Sequence, residues 1–214
     1  MRLRNVKGSR DVIASSQYVI QEPESVRGSW KESVFKNSNP IHLEIGMGKG
    51  QFLQALASAN PDINYIGIEK YSSVLIRAIQ KREENDFDNL YFLRFDATGL
   101  CDIFADGEID RIYLNFSDPW PKDRHAKRRL TSPDFLALYD KVLCPDGFIQ
   151  FKTDNRDLFN YSVEVAITSE KWHIDELTYD LQQSEFAENN VMTEYEAKFT
   201  ALGHPICRMV LSRR

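Results

Sequence analysis

Glu44-Ile45-Gly46-Met47-Gly48-Lys49-Gly50 places a carboxylate two residues ahead of three alternating glycines, after the apolar run Ile41 to Leu43 and before Phe52 and Leu53. Glycines at a strand's end allow positive φ and let a ligand approach the main chain, so the pattern reads as strand, tight ligand-facing turn, helix. Spacing narrows the ligand. A dinucleotide loop, G-x-G-x-x-G, needs a glycine where Gln51 stands, and no Lys-Ser/Thr pair completes a P-loop. Glu44 at this point repels a pyrophosphate and attracts an ammonium or sulfonium group. An ordinary glycine-rich turn is the plain alternative.

Further acids follow the next apolar runs. Glu69 ends Ile63 to Ile68, Asp96 ends Leu90 to Phe95, and Asp118 lies just past Ile109 to Asn115. In an open parallel sheet, ligands bind beyond the carboxyl ends of the strands, so four successive ends each bearing an acid describe one site better than four unrelated surface groups. Glu69 comes 69 − 50 = 19 residues after the last glycine, close to the ~20 at which an acid takes ribose hydroxyls in nucleotide folds. Glu44 would accept from a ligand amino group, Asp96 from a base amino group.

Asp118-Pro119-Trp120-Pro121 is stiffened by its prolines, presenting a carboxylate and an indole that suit the edge and face of a base. Packing of Trp120 beneath the loop would explain the indole equally well. Lys122 to Arg129 then holds five Lys/Arg and one Asp, locally about +4 in a chain of net charge −5. Such runs usually form a solvated face, but adjacency to the Asp118 loop favours phosphate binding here.

These groups need a frame. Apolar runs alternate with amphipathic segments: Gln51 to Ala59, a helix capped by Ser72, a helix opened by Ser132-Pro133-Asp134, and one over about 156–169. Strands joined through helices imply an α/β, mostly parallel, doubly wound sheet. Residues 1–39 read as an arm with a short helix near Trp30 to Phe35, in which Arg2, Arg4, Lys7 and Arg10 are candidates to touch an acidic partner; residues 40–214 form the main domain. The fifth strand, Phe148 to Lys152, is entered through the turn Pro145-Asp146-Gly147, and Ile206 to Leu211 is the last strand. The segment from Glu176 to Glu196 carries six acids and no Lys or Arg, reading as solvated and partly mobile over 182–190, although Thr193-Glu194-Tyr195-Glu196 fits a capping box closed by Gly203.

A chain of 214 residues, 42% hydrophobic, supports one domain with a real core. No apolar stretch reaches the roughly 18–20 residues of a membrane span, and no leader is apparent. Cys101, Cys144 and Cys207 form neither a disulfide framework nor a metal pattern, so a cytoplasmic, metal-free protein is expected.

The glycine motif resembles the first motif of S-adenosylmethionine-dependent methyltransferases. Together with F-S-D-P-W-P-K at Phe116 to Lys122 and its basic sequel, F-K-T-D at Phe151 to Asp154, and T-E-Y-E at Thr193 to Glu196, it is similar to the bacterial tRNA (guanine-N7-)-methyltransferases. The resemblance implies a Rossmann-like class I fold with an antiparallel C-terminal strand. It implies methylation of the variable-loop guanine at tRNA position 46, with S-adenosylmethionine as donor and S-adenosylhomocysteine as product. Carried over by motif, Glu44, Gly46, Gly48, Gly50, Glu69, Asp96 and Asp118 would serve the cofactor, with Asp118 also the catalytic residue. Lys122, Asp154, Thr193, Glu194, Tyr195 and Glu196 would hold substrate. Arg124, His125, Ala126, Lys127, Arg128 and Arg129 would contact RNA. The partner would be tRNA, without a membrane, and the enzyme a monomer or homodimer.

Guanine N7 is an unprotonated lone pair, so alignment rather than a general base is expected to drive transfer. Two competing readings differ in outcome. Adenine-N6 enzymes carry a D/N-P-P-aromatic loop after the same strand, and Asp118 to Pro121 holds those pieces in another order. An RNA-binding module that has lost catalysis would share the fold, against which the intact glycines and acids speak.

Overall fold

The computed structural model describes residues 6, 8–85 and 87–214. The candidate contacts at Arg2, Arg4 and Lys7 lie outside the described residues. Seven strands form one sheet: β1 (Ile41–Ile45), β2 (Asn64–Ile68), β3 (Leu90–Leu93), β4 (Ile109–Asn115), β5 (Leu143–Thr153), β6 (Trp172–Thr178) and β7 (Cys207–Arg213). Their order is β3-β2-β1-β4-β5-β7-β6, so the winding reverses between β1 and β4. The first five pair in parallel; β7 runs antiparallel to both β5 and β6.

The helices are α1 (Ser9–Ser15), α2 (Gln51–Ala59), α3 (Ser72–Glu83), α4 (Leu100–Ile103), α5 (Pro133–Val142), α6 (Arg156–Thr168) and α7 (Glu194–Ala201). Strand periodicity sorts the side chains into two cores, because alternate residues leave opposite faces of a sheet. Leu43, Ile66, Ile112 and Phe151 pack with residues of α4, α5 and α6. Tyr65, Phe92 and Tyr113 pack with α2 and α3. The same parity puts His42, Glu44, Asn115 and Lys152 on the α2 and α3 side, so the polar strand positions gather on one face. Burial and the neighbouring Arg111 charge lower the pKa of His42 to about 3, and its Nδ1 lies 3.2 Å from the Tyr113 hydroxyl. It is a satisfied core residue.

Several local expectations change. Ser72 is the first residue of α3 and does not cap it; Tyr71 occupies the cap position, and its N–H is held by Glu69 at 2.9 Å. The Pro145 to Gly147 turn lies within β5 as an irregularity between two stretches paired with β4. β6 was not expected. Its inward positions include Glu176, which pairs with Arg208 on β7, so charge conceals the alternation that marks a strand. The acidic stretch after β6 is anchored by Leu181, which is fully buried.

Residues read as an arm bring large side chains into the cores. Val19 bridges Phe92 at the β3 edge. Trp30 is completely buried and donates from Nε1 to the Ile103 carbonyl at 2.8 Å, satisfying the one polar atom of the indole. A helical turn over Lys31–Phe35 follows.

Candidate active site

Gly46, Gly48 and Gly50 have φ of 76°, 60° and 72°. These left-handed angles explain the residue choice, and at Gly50 an added Cβ would also stand 3.0 Å from that of Ala78. Gly67, in the centre of β2, has another reason: a Cβ there would meet the Met47 sulfur, so its absence lets the turn fold down onto the sheet.

Glu44 and Asn115 join the two strands at the reversal. Asn115 Nδ2 donates to Glu44 Oε1 at 2.8 Å, while Glu44 Oε2 is buried without a hydrogen-bond partner. Burial is the main reason its pKa rises from the ordinary 4.5 to about 7, against the opposing pull of Asn115 and Lys152. An orphaned carboxylate oxygen is expensive unless something meets it. Glu44 lines a cleft of about 200 Å³ with Gly46, Gly48, Asn115, Phe116 and Tyr195. The residues fit a small molecule carrying an ammonium group.

Glu69 joins β2 to the turn. Its Oε2 accepts from Gly48 N at 3.2 Å and its Oε1 from Tyr71 N, leaving further lone pairs for hydroxyl donors. Burial raises its pKa, and the Asp118 charge adds to the rise, which places Asp118 within electrostatic reach. Asp96 is tied elsewhere: Lys70 Nζ lies 2.5 Å away, and Thr98 N donates to it at 3.1 Å. Glu69, Asp96 and Asp118 do not line the Glu44 cleft.

Asp118 is exposed on a strained loop. Phe116 and Trp120 have φ of 51° and 43°, uncommon for bulky residues and characteristic of functional loops. The loop is held by Phe116 N donating to the Lys152 carbonyl at 2.8 Å and by Arg129. Beyond it, Asp123–Arg128 forms a 3₁₀ turn. Lys122, Arg124, Lys127 and Arg128 are exposed, His125 and Ala126 partly so, and Arg129 is buried. Trp120 is flanked by Arg128, 4.9 Å from its ring centroid, and by His125 at 5.7 Å.

The Thr193 to Glu196 segment closes the cleft from the far side. Thr193 and Glu196 form the capping box of α7, and Gly203 with φ 79° follows the helix end. Glu194 accepts from Lys49 at 3.3 Å and Lys81 at 3.0 Å, tying α7 to the glycine turn and α3. Tyr195 donates to Asp154 at 3.0 Å and packs on Phe116, ring centroids 4.7 Å apart. Glu196 is wholly buried against Lys152.

The structure therefore brings Glu44, Gly46, Gly48 and Thr193 to Tyr195 to one cleft, with Glu69 behind the turn. Asp96 and the residues of the basic turn do not line that cleft. Sequence reasoning missed Asn115, Lys49, Lys81 and Asn190, which serves Glu196. Only Asn115 had a usable signal, a polar residue directly after the apolar stretch Ile112 to Leu114 and at the inward parity.

The family model "Putative methyltransferase" matches residues 38–209. A protein of Lachnoclostridium phytofermentans named tRNA (guanine-N(7)-)-methyltransferase is 63% identical over 213 residues, covering 100% of this chain and 99% of its own length. One of Bacillus licheniformis with the same name is 51% identical over 98% of this chain and 97% of its own. Among solved structures, "Structure of an antibiotic related Methyltransferase" aligns with TM-score 0.60 at 19% identity, over 86% of this chain and 92% of that one. An rRNA methylase from Streptococcus thermophilus aligns with TM-score 0.56 at 13% identity, over 100% and 98%. These structural matches concern the fold alone.

Proposed function

Because the chain belongs to the tRNA (guanine-N7-)-methyltransferase family, we propose that it methylates N7 of a tRNA guanine, position 46 of the variable loop, with S-adenosylmethionine as donor. The observation that carries the reading is the partnerless Glu44 Oε2 beside three positive-φ glycines at the point where the sheet reverses. S-adenosylmethionine supplies a methyl group made electrophilic by its sulfonium. Glu44 and Asn115 would take its amino group, Gly46 to Gly50 would let it lie against the main chain, and Glu69 would accept from its ribose hydroxyls.

N7 carries a lone pair and no proton, so no side chain need remove one. Asp118 orients the base by accepting from guanine N1–H and the exocyclic amino group. Tyr195, packed on Phe116, and Lys122 border the base, and Asp154 fixes the Tyr195 hydroxyl. Glu196 supports this wall through Lys152. Alignment and exclusion of water then supply most of the acceleration. Asp96, through Lys70, would shape the rim of the adenine site. The exposed cations Arg124, Lys127 and Arg128 receive the phosphates. On this reading the enzyme works in the cytoplasm, as a monomer or homodimer, and needs no metal.

The test is methyl transfer from labelled S-adenosylmethionine to unmodified tRNA, followed by mass spectrometry of the nucleosides. 7-Methylguanosine is expected, lost when guanine 46 is replaced. N6-methyladenosine, or no transfer by protein that still binds the cofactor, would overturn it.

A further inference from the structure

Arg129 differs from the rest of the basic segment. It is 9% exposed, whereas Lys122, Arg124, Lys127 and Arg128 all face solvent. Its Nε donates to the Pro119 carbonyl and its Nη2 to the Trp120 carbonyl, each at 3.1 Å. The guanidinium carbon lies 4.2 Å from the ring centroid of Tyr161 on α6. These are the two carbonyls that directly follow Asp118, and the second belongs to a residue held at φ 43°. A strained backbone persists only where its surroundings over-determine it. A planar guanidinium can donate to successive carbonyls with its fork while its face stacks on a ring; a lysine ammonium can do neither in the same way.

We infer that Arg129 is a positioning residue for the reaction, setting the direction of the Asp118 carboxylate through the Pro119 and Trp120 carbonyls, and that it does not receive an RNA phosphate. This rests on the base-orienting role given above to Asp118. Its guanidinium is already engaged on one face by Tyr161 and along one edge by the loop, which leaves it poorly placed for a phosphate.

The test uses Arg129→Lys and Arg129→Gln in the full chain. Trp30 and Trp172 are 0% and 2% exposed, so acrylamide quenching of tryptophan fluorescence reports chiefly on Trp120. Arg129→Lys should lower kcat about 10- to 100-fold, as misplacement of a reacting group by about 1 Å does, with KM for tRNA and cofactor affinity within about twofold. Quenching should increase. Arg129→Gln should behave alike and leave the salt dependence of tRNA binding unchanged. A phosphate contact predicts the reverse, and would overturn the inference: Arg129→Lys retains the rate, and Arg129→Gln flattens the salt slope by about one unit with quenching unaltered. If Arg129→Lys fails to bind cofactor, and so to fold, Tyr161→Leu carries the same readouts with the arginine intact. Asp118→Asn run in parallel separates the two readings. Full turnover in that variant refutes the role of Asp118, whereas unaltered quenching in Arg129→Lys refutes the clamp.

Discussion

Lys152 and Glu196 meet at 2.6 Å with both side chains wholly removed from solvent, although 44 residues separate them. Asn190 and the Val191 carbonyl complete the Lys152 shell. The pair seats α7 against the sheet beneath the cleft. Removing one partner strands a buried charge, so Lys152→Met or Glu196→Gln should cost about 3–5 kcal/mol, and the double variant Lys152→Met/Glu196→Met should recover part of it. Urea melts of the three variants measure this. Wild-type stability in Lys152→Met would show that the pair is not structural.

On the proposed reading, in which Glu44 takes the cofactor's amino group, cofactor binding is pH-dependent. The Glu44 folded pKa of about 7 lies above the ordinary 4.5, so its contribution to stability is fully present below 4.5 and is lost as pH rises through 7. Cofactor binding has the opposite preference, because an ammonium group seeks the carboxylate. Below about pH 6, affinity for S-adenosylmethionine should fall roughly tenfold per pH unit, with about one proton released on binding. Glu44→Gln should weaken and flatten the profile. Calorimetry at pH 6 in buffers of different ionisation enthalpy that detects no proton release would contradict this.

Asp118 can be tested at saturating tRNA. Asparagine keeps the shape but brings a donor toward guanine N1–H and its amino group. Loss of a charge-assisted bond worth about 1.5–3 kcal/mol corresponds to a fall in kcat of about 10- to 100-fold. Cofactor affinity should change little, since Asp118 does not line the Glu44 cleft. A full rate in Asp118→Asn would exclude the assigned role.

If the exposed cations receive tRNA phosphates, as proposed, they govern a salt effect. Replacing Lys127 and Arg128 together by glutamine should weaken tRNA binding at low salt and reduce the slope of log affinity against log salt by about two units, near the ~0.9 per phosphate of B-DNA. Filter binding across a salt series reads the slope. An unaltered value would mean that the turn is an ordinary solvated face and that RNA docks elsewhere.

By itself the sequence determined the features whose causes are local. The positive-φ glycines, the strand and helix periods and the capping box of Thr193 and Glu196 all arise from contacts within a few residues, so residue type and spacing record them. Acids at the ends of successive strands were equally legible, because strand ends in an alternating α/β chain share one edge. The tertiary structure alone decided which charged groups face ligand and which are consumed internally. Asn115 reaches Glu44 across 71 residues. Arg129 reads as one more cation in a basic run until Tyr161 and the loop carbonyls enclose it. Trp30 sits in a stretch of mixed charge yet lies in the core, and β6 is hidden because Glu176 turns inward to meet Arg208. A charge compensated by a distant partner looks, in the linear chain, the same as one compensated by water, and only the fold distinguishes them.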